Sequence, residues 1–133
     1  MVIVDTSVWI DYFGGVETLH TNWLDQRVGP GLGLTDLTLC ELLQGARDEK
    51  LFREVRRRLA EFDIFNTGGE DMAVSSAQNY RFLRSRGATV RKTIDCVIAT
   101  YCIRHHHSLL HRDRDFDPFE KHLGLEVVHP QIQ

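Results

Sequence analysis

Residues 2–13 have the sequence VIVDTSVWIDYF, and this stretch decides the fold class. Val2 to Val4 is a β-branched run typical of a buried strand, and it ends at Asp5. A hydroxyl residue, Thr6 or Ser7, can cap the helix that follows. A strand followed directly by a helix is the first unit of an α/β pattern.

The alternation of short strands and helices continues along the rest of the chain. Leu51, Val55 and Leu59 have helical spacing, and Thr93 to Arg104 is apolar on almost every side. This alternation predicts an α/β fold with a mainly parallel sheet of about four or five strands and helices on both faces. The predicted strands are Val2–Val4, Leu32–Thr35, Phe62–Phe65, Ser108–His111 and Glu126–Val128.

The composition is that of one globular domain. The chain has 133 residues, of which 42% are hydrophobic and 26% charged, with 3 Pro and 10 Gly. These values argue against disorder and leave no room for a second core, so we expect residues 1–133 to form a single domain. Neither a membrane-spanning run nor a signal peptide is recognisable, so we expect no membrane partner and a cytoplasmic location.

Charge is unevenly distributed along the chain. Residues 47–114 carry a net charge of +5, whereas the remainder carries −8. A basic half of this kind is compatible with binding a polyanion, although such runs are more often solvated helix faces. The same two interpretations apply to five cations that could contact nucleic-acid phosphates: Arg81, Arg84, Arg86, Arg91 and Lys92.

Four acidic residues can meet at one edge of the predicted sheet. Asp5 directly follows the first strand and Asp113 follows the fourth. Both can therefore project from the carboxyl edge of a parallel sheet, where ligands bind in such folds. Asp95 occupies the first turn of the apolar helix, and Glu41 lies beside a buried helical stripe.

Each of these acids also has a purely structural explanation. Asp5 can be a helix N-cap, and Asp113 can be a turn residue. Asp95 can favour the positive end of a helix dipole. Glu41 can complete a capping box with Thr38, although an earlier start of that helix is equally consistent with the sequence.

Taken together, the acids and their surroundings match a known family. The chain resembles the PIN-domain ribonucleases of the VapC type, which are toxins of bacterial toxin–antitoxin systems. The resemblance rests on four stretches that occur in the family's order and cover the chain from end to end. They are VIVDTSVWIDYF at residues 2–13, TLCELLQGAR at 38–47, TIDCVIATYC at 93–102 and LLHRDRDFDPF at 109–119.

The resemblance implies a catalytic acidic quartet at Asp5, Glu41, Asp95 and Asp113. Clustered carboxylates repel one another unless cations neutralise them, and hard oxygen ligands select Mg²⁺, with Mn²⁺ able to substitute. Asp5, Asp95 and Asp113 are the expected direct ligands, and Glu41 would position or deprotonate the attacking water. Such an ion shields a phosphodiester and acidifies its bound water, so the expected reaction is hydrolysis of RNA.

Four further positions are expected to support the quartet. Thr6 and Ser7 are the hydroxyl neighbours of the first aspartate. Asp115 is a weaker acidic candidate which, like Glu41, could be an outer ligand or bind a second ion. His111 departs from the family pattern, because many members have Ser or Thr there, and it could hydrogen-bond a water or a phosphate.

The resemblance also implies partners. The expected substrate is a transfer RNA or a ribosomal RNA, whose cleavage arrests translation. The expected protein partners are a cognate antitoxin and a second copy of the chain, giving a homodimer.

Four other interpretations are open to the sequence. A PIN-type nuclease outside toxin systems would share the same residues, and a non-catalytic RNA-binding module would not need converging carboxylates. A phospho-aspartyl phosphatase needs a second acid at the position occupied by Ser7. A zinc site at Cys102 and His106 lacks a second pair of ligands at suitable spacing.

Overall fold

A computed structural model of the chain describes residues 1–27 and 29–131. Strands and helices alternate within these residues, as predicted. The strands are β1 (Val2–Val4), β2 (Leu32–Thr35), β3 (Asp63–Phe65), β4 (Ser108–Leu110) and β5 (Glu126–Val127). The helices are α1 (Thr6–Phe13), α2 (Leu19–Asp25), α3 (Asp36–Gln44), α4 (Glu49–Leu59), α5 (Glu70–Ser85), α6 (Thr93–His105) and α7 (Asp117–Leu123), with a 3₁₀ turn at Arg114–Phe116.

The strands form one five-stranded sheet in the order β3-β2-β1-β4-β5, and every pairing is parallel. The predicted fold class is confirmed, and each predicted strand is present with ends that differ by at most one residue. The central strand β1 pairs Ile3 with Gly33 on one side and with Leu109 on the other. All five carboxyl ends therefore lie along the same edge of the sheet.

Helices cover both faces of the sheet, because alternate residues of each strand point to opposite sides. On one face, Ile3 and Leu109 pack in a core with buried residues of α5, α6 and α7. On the other face, Val4, Leu34 and Leu110 pack with buried residues of α1, α2 and α4. None of the helices within the described residues is long and apolar enough to cross a membrane.

The sequence leaves the start of one helix open and does not predict another helix. Helix α3 begins after Thr35, whose hydroxyl accepts a hydrogen bond from the Thr38 amide at 3.1 Å, so the capping box between Thr38 and Glu41 does not form. Helix α7 is an element that the sequence did not predict. It has only 7 residues, begins next to Pro118, and has Phe119 as its buried anchor.

The close approach between β2 and β3 depends on a glycine, and this gives the first prediction. A Cβ atom at Gly33 would lie 2.7 Å from the Phe65 ring and 2.8 Å from the Asp63 carbonyl oxygen. We expect Gly33→Ala to lower the free energy of unfolding by about 1–3 kcal/mol through overpacking, measured by urea denaturation. Gly68→Ala is the matched control, since nothing lies within 4 Å of its added atom. Equal losses in the two variants would contradict this account.

Candidate active site

The candidate site lies where the order of the strands reverses. The chain builds β2 and then β3 on one side of β1, and places β4 and β5 on the other side. Ligands in open α/β sheets bind at the crevice that such a reversal creates. Asp5 directly follows β1 and its amide donates to the Leu110 carbonyl at 2.9 Å, while Asp113 lies just beyond β4.

Asp5 is fixed by its neighbour Ser7. The Asp5 carboxylate oxygen Oδ2 accepts from the Ser7 amide at 3.1 Å and from the Ser7 hydroxyl at 2.7 Å. The same hydroxyl accepts from the Arg112 amide at 3.0 Å, which joins the ends of β1 and β4. Burial raises the pKa of Asp5, and the hydrogen bonds from Ser7 oppose that rise. Asp5 is therefore the N-cap of α1 while it also faces the crevice.

Glu41 is brought to Asp5 by a contact between two helices. The Thr6 hydroxyl of α1 donates to Glu41 Oε1 on α3 at 2.8 Å. Repulsion from Glu41 contributes to the raised pKa of Asp5, after the larger effect of burial. Both Thr6 and Ser7 thus position acidic side chains.

Three other carboxylates form the tightest acidic group. Each of Asp95, Asp113 and Asp115 has an oxygen within 4.8 Å of an oxygen of the others. Asp95 is only 5% exposed, and its Oδ2 has no hydrogen-bond partner among the described residues. Burial, followed by repulsion from Asp5 and Asp113, raises the pKa of Asp95 to about 7. A buried charge of this kind requires a positive partner.

His111 holds the backbone that carries Asp113. The Asp113 amide donates to His111 Nδ1 at 3.1 Å, and Asp113 Oδ1 in turn accepts from the Asp115 amide at 2.9 Å. The imidazole is 8% exposed, lies 4.9 Å from the Phe116 ring between centroids, and has its pKa lowered mainly by burial. His111 therefore accepts at Nδ1 as a neutral ring, with its proton on Nε2.

Asp115 is partly neutralised by Arg91. The guanidinium of Arg91 donates to both carboxylate oxygens of Asp115 at 3.1–3.3 Å. Asp115 raises the pKa of Arg91, chiefly through these hydrogen bonds. The sequence allows Arg91 either to contact phosphates or to lie on a solvated helix face, and in the structure it contacts an acid of the site.

The structure brings the predicted acids to one crevice. The three carboxylates that lie closest together are not the three expected from the sequence as metal ligands. Asp5, Asp95 and Asp113 were expected as direct metal ligands, whereas Asp115 replaces Asp5 in the tightest group. Asp5 is nevertheless near enough to raise the pKa of Asp95. The alternation of charge in RDRD, residues 112–115, is the signal that could have given Asp115 more weight.

The donor set fits a hard divalent cation. The clustered groups offer carboxylate oxygens alone, which is the ligand type of Mg²⁺ and Mn²⁺, and the buried Asp95 Oδ2 lacks any other partner among the described residues. Within those residues, no group of three or more His, Cys, Asp or Glu side chains close enough for a shared ion includes Cys102 or His106. The zinc interpretation therefore has no geometric support.

Known proteins resemble this chain across nearly its whole length. It is 30% identical over 131 residues to ribonuclease VapC11 of Mycobacterium tuberculosis, covering 96% of this chain and 98% of that protein. A toxin–antitoxin complex from Klebsiella pneumoniae has the same fold, with a TM-score of 0.74, 22% identity and complete (100%) coverage of both chains. FitAcB from Neisseria gonorrhoeae gives a TM-score of 0.73 at 20% identity, with 98% of each chain covered.

The family assignment follows from matches that extend over most of the molecule. The PIN domain family matches residues 2–121, a range that contains β1, β4 and every acid described above. Together with the likeness to VapC11, this match shows that the chain belongs to the PIN domain family and, within it, to the VapC group.

Proposed function

We propose that this protein is a divalent-metal-dependent endoribonuclease and the toxin of a toxin–antitoxin pair. The observation that carries the proposal is the acidic group of Asp95, Asp113 and Asp115, in which Asp95 Oδ2 is buried without a partner among the described residues. The name of the relative VapC11 as a ribonuclease supports the same reaction. RNA is accordingly the proposed substrate.

Asp95 and Asp113 would hold the ion, with Asp5 and Asp115 on either side of them. When bound, Mg²⁺ or Mn²⁺ would neutralise the clustered charge, shield the phosphodiester and lower the pKa of a water molecule. Ser7 fixes Asp5 through two hydrogen bonds, and Arg91 fixes Asp115 through both of its oxygens. These contacts keep the carboxylates in place before an ion arrives.

Glu41 would orient the attacking water or accept its proton. Its Oε1 is held by the Thr6 hydroxyl at 2.8 Å, which fixes the carboxylate next to Asp5. A base held within hydrogen-bond reach of its proton is the geometric requirement for general-base catalysis. The proposed roles are therefore ion binding for the aspartates and proton transfer for Glu41.

The proposed partners follow from the family and from the solved relatives. The structure from Klebsiella pneumoniae is of a toxin–antitoxin complex. We extend this to a cognate antitoxin for the present chain, to a homodimer, and to arrest of translation by cleavage of a transfer or ribosomal RNA. Residues 1–133 would act as one PIN domain in the cytoplasm.

Removing one charge from the acidic group tests the reaction. We expect Asp95→Asn to reduce Mg²⁺- or Mn²⁺-dependent cleavage of RNA by at least about 100-fold, since the ion loses a ligand. Asp25→Asn is the matched control, because Asp25 is exposed at the end of α2. Cleavage is measured on a mixed RNA pool with and without EDTA. Full activity of Asp95→Asn would contradict the proposal, and binding by the wild type without any cleavage would favour a binding module.

The pH dependence of stability gives a second test of the acidic group. In EDTA, the pKa of Asp95 is about 7 in the folded protein, against an ordinary value of 3.8 that applies when it is unfolded. Between these values the folded state retains a proton that the unfolded state releases, so the free energy of unfolding falls as pH rises. We expect this fall to be about 1–4 kcal/mol and to be smaller in Asp95→Asn, where the raised pKa of Asp5 still contributes.

Added metal should act in the opposite direction. At pH 7.5, chosen above the Asp95 pKa of about 7, Mn²⁺ should raise the Tm of the wild type more than that of Asp95→Asn. An ion that binds only the folded state stabilises it by about 2.7 kcal/mol at 100 times its Kd. Both variants are melted with chelator and with Mn²⁺, and an identical response of the two would argue against a shared ion site.

His111 provides a test of how Asp113 is positioned. His111→Asn keeps an oxygen that can accept from the amide two residues later, whereas His111→Leu keeps bulk and removes the acceptor. We expect His111→Leu to weaken Mn²⁺ affinity by about 10–100-fold, and His111→Asn to restore most of it. Affinity is measured by calorimetry and compared with Tm. Equal affinities of the two variants would assign His111 to packing alone.

A further inference from the structure

We propose that a basic pocket beside the acidic group binds the phosphate backbone of the RNA strand that is to be cut. The pocket is a cleft of about 420 Å³ between the end of α5 and the start of α7. Its basic lining residues are Arg86, Arg114, Lys121 and His122, and its carboxylate is Asp117. This inference rests on the proposed ribonuclease function and adds a site for the substrate.

The three strong cations of the pocket are not neutralised by the protein. Within the described residues, no ion pair includes Arg86, Arg114 or Lys121. The guanidinium of Arg86 instead lies over the Phe82 ring at 5.0 Å, which orients the group and leaves its charge free. Three strong cations gathered around a cleft that has one carboxylate, Asp117, form a site for anions.

Two other cations near the acidic group, Arg91 and Arg112, are already engaged. Arg91 is bonded to Asp115, and Arg112 donates to Asp11 at 2.6 Å. These two arginines position side chains of the protein, so they are less available to a ligand. Within the described residues, the positive charge that remains available on this side of the site lies in the pocket and on Lys92, which is close enough to Asp95 to lower its pKa.

One short turn of the chain connects the pocket with the acidic group. Arg114 lies between Asp113 and Asp115, and all three belong to the 3₁₀ turn or to its cap. The two aspartates contribute to the acidic group, whereas Arg114 lines the pocket. A strand whose scissile phosphate meets the acids would therefore place a neighbouring phosphate at Arg114.

The chemistry of the pocket favours a phosphate chain over a base. Guanidinium groups bind phosphate oxygens in a bidentate manner, and ammonium groups bind them as point charges. The lining residues include no Phe, Tyr or Trp, and the Phe82 ring on α5 is covered by Arg86. Contacts of this type position a nucleic acid without reading its sequence. We therefore expect the pocket to strengthen binding of every RNA to a similar degree.

Binding is tested in a protein that cannot cleave its ligand. In the Asp95→Asn background, Arg86, Arg114 and Lys121 are all changed to Gln, and affinity for fluorescent single-stranded RNA of mixed sequence is measured from low to high KCl. Each lost phosphate contact lowers the slope of log Kd against log salt by about 0.7, so we expect a fall of about 2. Two unrelated RNA sequences should show the same fall.

The matched control has the same change in charge on the opposite face of the sheet. Arg53, Arg56 and Arg57 lie on α4, whose buried residues Val55 and Leu59 pack in the core away from α5 and α7. Changing these three arginines to Gln should leave the slope within about 0.5 of its original value. Equal slopes for the pocket variant and the control would overturn the inference, because the effect would then be one of net charge.

Cleavage and folding complete the test. In the active protein, the triple pocket variant should raise KM several-fold at moderate salt and leave kcat for saturating RNA nearly unchanged, since it loses binding that is uniform in ground and transition states. If the triple variant is poorly folded, the single variant Lys121→Gln, at an exposed position, is measured in its place. We expect it to lower the salt slope by about one third as much. An unchanged slope in both would overturn the proposal.

Failure of the pocket and failure of the nuclease proposal are distinguishable. If the wild type cleaves RNA with Mg²⁺ or Mn²⁺ but the salt slopes of all variants agree, the pocket proposal fails alone. If the slope falls in the pocket variant but the wild type never cleaves, RNA binding stands and the nuclease proposal fails. If millimolar inorganic phosphate binds to the wild type but not to the triple pocket variant, while both bind RNA with the same affinity and salt slope, the pocket is a site for small anions. That result would overturn the proposal.

Discussion

The site depends on one constraint, which is that parallel strands end at a common edge. Asp5 and Asp113 follow the adjacent strands β1 and β4, so the backbone itself brings their charges together. Asp95 enters the same crevice from α6 and is buried there, although burial of an unpaired carboxylate costs several kcal/mol. The hydrogen bonds from Ser7 to Asp5 and from Arg91 to Asp115 each hold one of the converging acids in place.

Much of the fold could be predicted from the sequence, because strand and helix patterns are local. Asp5 shows why the site was harder. From sequence, a helix cap and a place in the crevice are alternatives for this residue, yet in the structure one carboxylate does both. Asp115 is harder to recognise from the sequence because the 3₁₀ turn, which spacing does not reveal, directs its side chain toward Asp95. Helix α7 is not predicted from the sequence because it is short and has one buried residue, Phe119.

Acidic and basic side chains near the site lie in separate parts of the structure. A net charge of −3 hides a separation in which acids occupy the crevice and free cations occupy the neighbouring pocket. The turn at Arg114–Phe116 is the boundary between them. A ligand that carries regularly spaced negative charges can satisfy the pocket directly, whereas at the crevice it needs a cation between itself and the protein.

The hydrogen bond from the Asp5 amide to the Leu110 carbonyl has a consequence for dynamics. It joins β1 and β4 at the centre of the sheet, and the two strands have hydrophobic cores on both faces. Exchange of that amide proton with solvent would require separation of the two strands, which is close to global unfolding. The two strands beneath the acidic crevice therefore lack a low-energy local opening between them, and the Asp5 amide should exchange only as slowly as the sheet itself unfolds.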